Sequence, residues 1–219
     1  MDFYRDHVYP HLVNLLGDPH PIREIRQRVI SLAQGKVLEI GAGSGLNFAY
    51  YDPTQVPKLY ALEPNSGMIR LAEKRRQRTK LEIEFLGLPG EQIPLEDRAV
   101  DTVVSTFTLC TISSHSLPEA LRGIRRVLKP SGKFIFIELG LSPDARVQAW
   151  QKRWEPIHHR VFQGLHLTRD IPSLVTQGGF QVEEIKSAYF AEFPKSWTHY
   201  WWGAAGLQSR ERRSRACSN

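Results

Sequence analysis

The chain has 219 residues, of which 41% are hydrophobic, enough for one domain with a full-sized core. Its net charge of +6 is modest, its two cysteines (Cys110 and Cys217) are too few for a disulfide framework, and no apolar run reaches the length of a bilayer span. With the polar start Met1-Asp2-Phe3-Tyr4-Arg5-Asp6 there is no signal-peptide pattern, and a cytoplasmic protein of a reducing compartment is expected.

In chain order, Tyr4, Val8, Leu12, Leu15 and Leu16 make a helical apolar stripe that Gly17-Asp18-Pro19 ends. A second helix runs from Pro21, with Ile22, Ile25, Val29, Ile30 and Ala33 inward, and stops at Gly35. Strands are expected at 37–41 and 58–63, followed by a helix over 66–78 whose end carries the basic run Lys74-Arg75-Arg76-Gln77-Arg78. Strands at 81–86 and 101–107, a helix at 116–128, the turn Lys129-Pro130-Ser131-Gly132 and a strand at 133–139 come next. A helix near 144–155 carries Trp150 and Trp154. A further one has Thr168 as N-cap, Asp170 in its first turn and Gly178-Gly179 at its close. Strand-like runs at 180–190 and 197–204 follow, and from about Leu207 the chain is polar and basic. Alternating strands and helices predict a parallel sheet covered on both faces. The basic runs are not interleaved with aromatics, so no nucleic-acid partner is expected.

The most informative stretch is Val37-Leu38-Glu39-Ile40-Gly41-Ala42-Gly43-Ser44-Gly45. A buried strand entering a glycine turn at a helix start is where α/β proteins bind nucleotides. The dinucleotide fingerprint G-x-G-x-x-G would need a glycine where Leu46 stands, and a phosphate-binding P-loop would need Gly-Lys-Ser/Thr where Gly45-Leu46-Asn47 stands. About 20 residues further on, a strand ends in Glu63-Pro64, placed for a carboxylate to accept ribose hydroxyls.

These two segments resemble the first motifs of class I S-adenosylmethionine (SAM) methyltransferases of the type 11, UbiE-like kind. Asn65-Ser66-Gly67-Met68, Asp97–Val104 and Arg125–Lys133 resemble later segments of the same family. Trp150–Pro156 and Gly164–Ile171 are more loosely similar to bacterial phospholipid N-methyltransferases and to the membrane-anchored thiol methyltransferases of animals. Those animal enzymes carry a hydrophobic N-terminal anchor absent from this chain, so at most peripheral membrane contact is expected. The resemblance implies a Rossmann-like, doubly wound, seven-stranded sheet, mostly parallel with one antiparallel strand, plus N-terminal lid helices. It divides the chain into one domain over 1–206 (helices to 34, SAM-binding core 35–140, substrate side 141–206) and a disordered basic tail over 207–219.

The cofactor implied is SAM, leaving as S-adenosylhomocysteine, with Glu39, Gly41, Ala42, Gly43, Gly45, Asn47, Glu63, Pro64, Met68, Gly90, Glu91, Thr106 and Phe107 as its contacts. Many relatives place an acid after the third strand for the adenine amino group. Here Pro89 stands there, so backbone at Gly90-Glu91 would serve instead. Methyl transfer from a sulfonium needs positioning and exclusion of water rather than a triad or metal, and a base only for a nucleophile that arrives protonated. His158 and His159 are adjacent, about 100° apart on a helix, so no metal site is expected. His166 is the candidate base, and Tyr4, His11, Trp154, His158 and Arg169 are the candidate substrate contacts. Cys110 is expected to be a small buried apolar residue. The expected reaction is methyl transfer to a small lipophilic or lipid-like acceptor (thiol, quinol or amine head group) by a monomer or homodimer. The competing readings are an NAD(P)-linked oxidoreductase and a SAM-binding, RNA-associated protein.

Overall fold

The computed structural model describes residues 4–190, 194–195 and 197–208. The continuous apolar runs become β1 (Lys36–Ile40), β2 (Lys58–Leu62), β3 (Ile83–Leu86), β4 (Val100–Thr106) and β5 (Leu128–Leu139), paired in parallel. β6 (Phe180–Tyr189) and β7 (His199–Leu207) complete a seven-stranded sheet of order β3-β2-β1-β4-β5-β7-β6, in which β7 alone runs antiparallel to its neighbours. Side chains alternate between the two faces. Val37, Leu59, Val104 and Ile135 pack with Ile30 of α2 (His20–Ile30) and Ala72 of α3 (Ser66–Arg76). Leu38, Leu62, Val103 and Phe134 meet α4 (Leu117–Val127) and α6 (Ile171–Gln177) through Leu121, Ile124, Ile171 and Val175. The strand order reverses between β1 and β4, the switch point at whose C-terminal edge such sheets bind ligands.

Over that edge lie α1 (Tyr9–Leu16), entered through a π-helical turn at Tyr4–Val8, and α5 (Ala145–Val161). The Tyr4 hydroxyl donates to the Val161 carbonyl at 2.9 Å and joins the two. The expected stripe on the first helix is corrected here. Val8 and Leu15 are exposed, whereas Tyr9 and Val13 face a cavity. A π turn advances by i→i+5 spacing and so rotates the face of everything after it.

Other local differences have equally local causes. After the glycine turn comes a short 3-10 helix, Leu46–Ala49, not a full α-helix. The helix expected to end near 155 continues to Val161 with Pro156 inside it. Asp170, not Thr168, caps α6: its carboxylate accepts from the Ser173 amide (3.1 Å) and hydroxyl (2.7 Å). The turn at 129–132 lies within β5, where pairing with β4 jumps from Leu128 to Lys133. β7 keeps Leu207 paired with Phe180, so the sheet reaches into the expected tail, and residues 209–219 lie outside the described residues. Among the described residues no helix is long and apolar enough to cross a membrane, and no group of three or more His, Cys, Asp or Glu is placed to hold a metal.

Candidate active site

A cavity of about 420 Å3 opens at the C-terminal ends of β1, β2 and β4. Gly41, Ala42 and Gly43 after β1, Glu63 and Pro64 after β2, Met68 of α3, Gly90 and Glu91 after β3, and Thr106 and Phe107 at the end of β4 all line it. So do Glu39 and Asn47. Of the expected cofactor set only Gly45 is absent from the walls. It turns the chain at φ +76°, and a Cβ there would stand 2.5 Å from the Phe48 ring, so its task is to seat Phe48 in the core. Gly43 differs: at φ +55° its nearest neighbour to an added Cβ is 3.9 Å away, so a side chain would project into open space.

Glu63 is oriented by backbone. One carboxylate oxygen accepts from the Gly43 amide (3.0 Å) and the other from the Asn65 amide (2.8 Å), while the Asn65 side chain caps α3 at the Met68 amide. The acid after β2 is thereby locked to the glycine turn after β1. Glu39 is fully enclosed and accepts from Asn47 Nδ2 (2.7 Å) and the Tyr51 hydroxyl (2.9 Å). Burial pushes its pKa up from 4.5 to about 7 against the pull of those two hydrogen bonds and of Arg26.

Arg26 was not anticipated. It is 3% exposed, donates to Asn47 Oδ1 and to the Gly17 carbonyl (3.1 Å), and lies 5.6 Å from the centre of the Phe107 ring. Its Nε, 3.5 Å from Asp18, makes no hydrogen bond. Burial lowers its pKa. The sequence does carry a signal for it: Ile22, Arg26, Val29 and Ile30 share one helical face, and an arginine on a buried face needs a reason. Arg75, in the basic run at the end of α3, donates to the Ser44 carbonyl and to Asn14 (2.7 Å each), tying the glycine turn to α1. Phe107, at φ +55°, holds a strained left-handed conformation at the strand's end, anchored by its amide on the Ile137 carbonyl (2.8 Å).

A family profile described as "Methyltransferase domain" matches residues 38–136, the span that builds this cavity. Residues 38–136 are a SAM-dependent methyltransferase domain. The human thiol S-methyltransferase TMT1B is 34% identical over 156 residues, covering 68% of this chain and 62% of that protein. The rat protein is 31% identical over 165 residues, covering 74% and 62%. The chain thus spans under two thirds of the length of these relatives. Among solved structures, a SAM-dependent methyltransferase from Leishmania major superposes with a TM-score of 0.68 at 16% identity, covering 92% of this chain and 80% of that one. One from Aquifex aeolicus reaches 0.63 at 18% identity, covering 90% and 98%. The donor set suits the cofactor: a carboxylate for a diol, an open glycine turn, and a second carboxylate beside a buried amide for an ammonium group.

Sharing Tyr9, Val13, Gly17, Phe107 and Thr111 with this first cavity is a second one of about 330 Å3. Its other walls are mainly apolar: Ile22, Cys110, Leu139, Phe162, Leu165, Trp197 and Tyr200 among them. Of the expected substrate residues, only His158 lines it. The other four stand outside both cavities, and three of them have structural partners. Tyr4 joins α5, as above, while His11 is exposed on α1. Trp154 packs edge-on against Trp197 at 6.2 Å. Arg169 donates to the carbonyls of Leu109 and Ile112, holding the loop after β4. His166, the expected base, pairs with Glu155 (2.9 Å), and its amide donates to the Cys110 carbonyl. The same loop is fastened from the other side by buried Glu138, which accepts from the Ser105 hydroxyl and from the amides of Thr108, Leu109 and Cys110. Cys110 is buried as expected, but in a cavity wall, and burial beside Glu138 pushes its thiol pKa well up.

Proposed function

We propose that this chain transfers the methyl group of SAM to the sulfur of a small lipophilic thiol. The observation that carries the reading is the apolar cavity sharing a wall with the cofactor cavity at Tyr9, Val13, Phe107 and Thr111. Apolar walls with few polar groups take lipophilic ligands. The relatives named thiol S-methyltransferases support the choice of sulfur.

In this reading Glu63 accepts the ribose hydroxyls, and Gly41–Gly43 passes under the amino-acid end. Glu39 with Asn47 receives the ammonium group, and Arg26 lies by the carboxylate. Gly90 and Glu91 bound the adenine, with Pro89 leaving recognition to backbone and shape. The sulfonium, when bound, supplies an already activated methyl carbon. The chain's own contribution is in-line positioning and exclusion of water, which together account for much of the acceleration such reactions need. Phe107 and Tyr9 line both cavities, and aromatic rings attract a sulfonium as they do other cations.

The test is a panel of alkyl and aryl thiols, quinols, amines and phosphatidylethanolamine incubated with methyl-labelled SAM. Label is expected in the thioether of the thiols. Turnover confined to quinols, amines or the phospholipid would overturn the choice of sulfur.

A further inference from the structure

A thiol arrives protonated, and the thiolate is the nucleophile. The apolar walls disfavour the charged form further, so the reaction proposed above needs a proton acceptor that touches the acceptor's sulfur. Tyr9, Cys110 and Tyr200 reach the apolar cavity, but burial pushes all three upward, so at neutral pH they keep their protons. Among the described lining residues there is no carboxylate and no lysine.

His158 remains. It is 4% exposed, on α5, and its Nδ1 lies 2.9 Å from the carbonyl oxygen of Trp154, one helical turn back. A carbonyl only accepts, so Nδ1 carries a proton and, in the neutral ring, Nε2 holds the lone pair. The ring is clamped edge-on to Trp197 at 4.7 Å and lies nearly parallel to Phe162 at 6.1 Å. A fixed tautomer in a clamped ring within an apolar cavity is the arrangement of a base rather than of an exposed surface histidine.

We infer that His158 is the general base, taking the acceptor's thiol proton on Nε2 as the sulfur attacks. This rests on the thiol reading. In the step the S–H bond breaks towards Nε2, the new S–CH3 bond forms, and the carbon–sulfur bond of the sulfonium breaks with its electron pair going to S-adenosylhomocysteine. The imidazolium then returns its proton to solvent as the thioether leaves. The assignment moves the catalytic role from His166, whose Nδ1 is engaged by Glu155, to a residue read only as a substrate contact.

The test compares wild type with His158→Asn, whose amide can still donate to the Trp154 carbonyl, and with His158→Phe. With an alkyl thiol at pH 7, His158→Asn should lose about 100-fold in kcat/KM. The loss should shrink as pH rises past the thiol's own ionisation, and fall to about threefold or less with an acidic aryl thiol that is already ionised. A second readout needs no turnover. Calorimetry of alkyl-thiol binding to the S-adenosylhomocysteine complex, in buffers of different ionisation heat, should show a pH-dependent proton balance in wild type that His158→Asn removes. An equal loss for both thiols at every pH, or no loss, overturns the assignment while leaving thiol methylation standing. A folded, cofactor-binding wild type that methylates amines or quinols but no thiol overturns both.

Discussion

Glu63 and Glu39 are two carboxylates a short distance from one glycine turn with opposite environments. Glu63 is held by two backbone amides, and its replacement removes an acceptor from a site built around it. Hydrogen bonds to a charged group contribute about 1.5–3 kcal/mol, so Glu63→Ala should weaken S-adenosylhomocysteine by about 10- to 100-fold in calorimetry. A change below about threefold would place the ribose elsewhere. Glu39 is governed by burial, which raises its pKa from 4.5 to about 7. Its folded-state value lies above its unfolded one, so the folded protein binds more protons in that window, and its stability falls as pH rises through it. A ligand ammonium favours the charged form. S-adenosylhomocysteine affinity should therefore climb between about pH 5 and pH 8, with proton release on binding, and Glu39→Gln should flatten the slope. A wild-type affinity independent of pH would remove the ammonium from Glu39.

At the scale of elements, what was legible was local. The strand–glycine–strand–acid series from Val37 to Glu63 is contiguous, and its residues meet because β1 and β2 pair in register, Glu39 beside Ala61 and Ile40 beside Leu62. The second cavity was not legible in that way. Tyr9, Ile22, Cys110, His158 and Tyr200 come from five distant segments that only the folded edge brings together. Arg169 looked like a substrate contact because it lies within the family-like segment Gly164–Ile171, yet it fastens backbone carbonyls sixty residues away in sequence or nearly so. The phase of α1 failed for a nameable reason, the π turn before it. That helix supplies Tyr9 and Val13 to the wall between the cavities, and Asn14 to Arg75 and Ser44. Deleting residues 1–16 should abolish methyl transfer while S-adenosylhomocysteine affinity stays within about tenfold. A folded, fully active truncation would mean the wall is built by other elements.

For the whole molecule, the sheet and its two helical layers place one cavity at the switch point and a second against it, with Phe107 common to both. The doubly wound order with a single antiparallel strand was expected from the alternation of elements and the family resemblance, and it is what the pairing gives. Nothing in that architecture selects the acceptor atom, because a fold does not dictate the chemistry grafted on it. The apolar lining and the one imidazole among the described lining residues of the second cavity do bear on it. The most direct measurement is therefore carbon NMR on the product formed from methyl-13C SAM and a lipophilic alkyl thiol under wild-type enzyme. The account predicts label in an S-methyl group, formed at a rate that falls when His158 is replaced by Asn. Label appearing only on nitrogen, oxygen or carbon of competing acceptors, with the thiol untouched in a protein that binds S-adenosylhomocysteine, would contradict it.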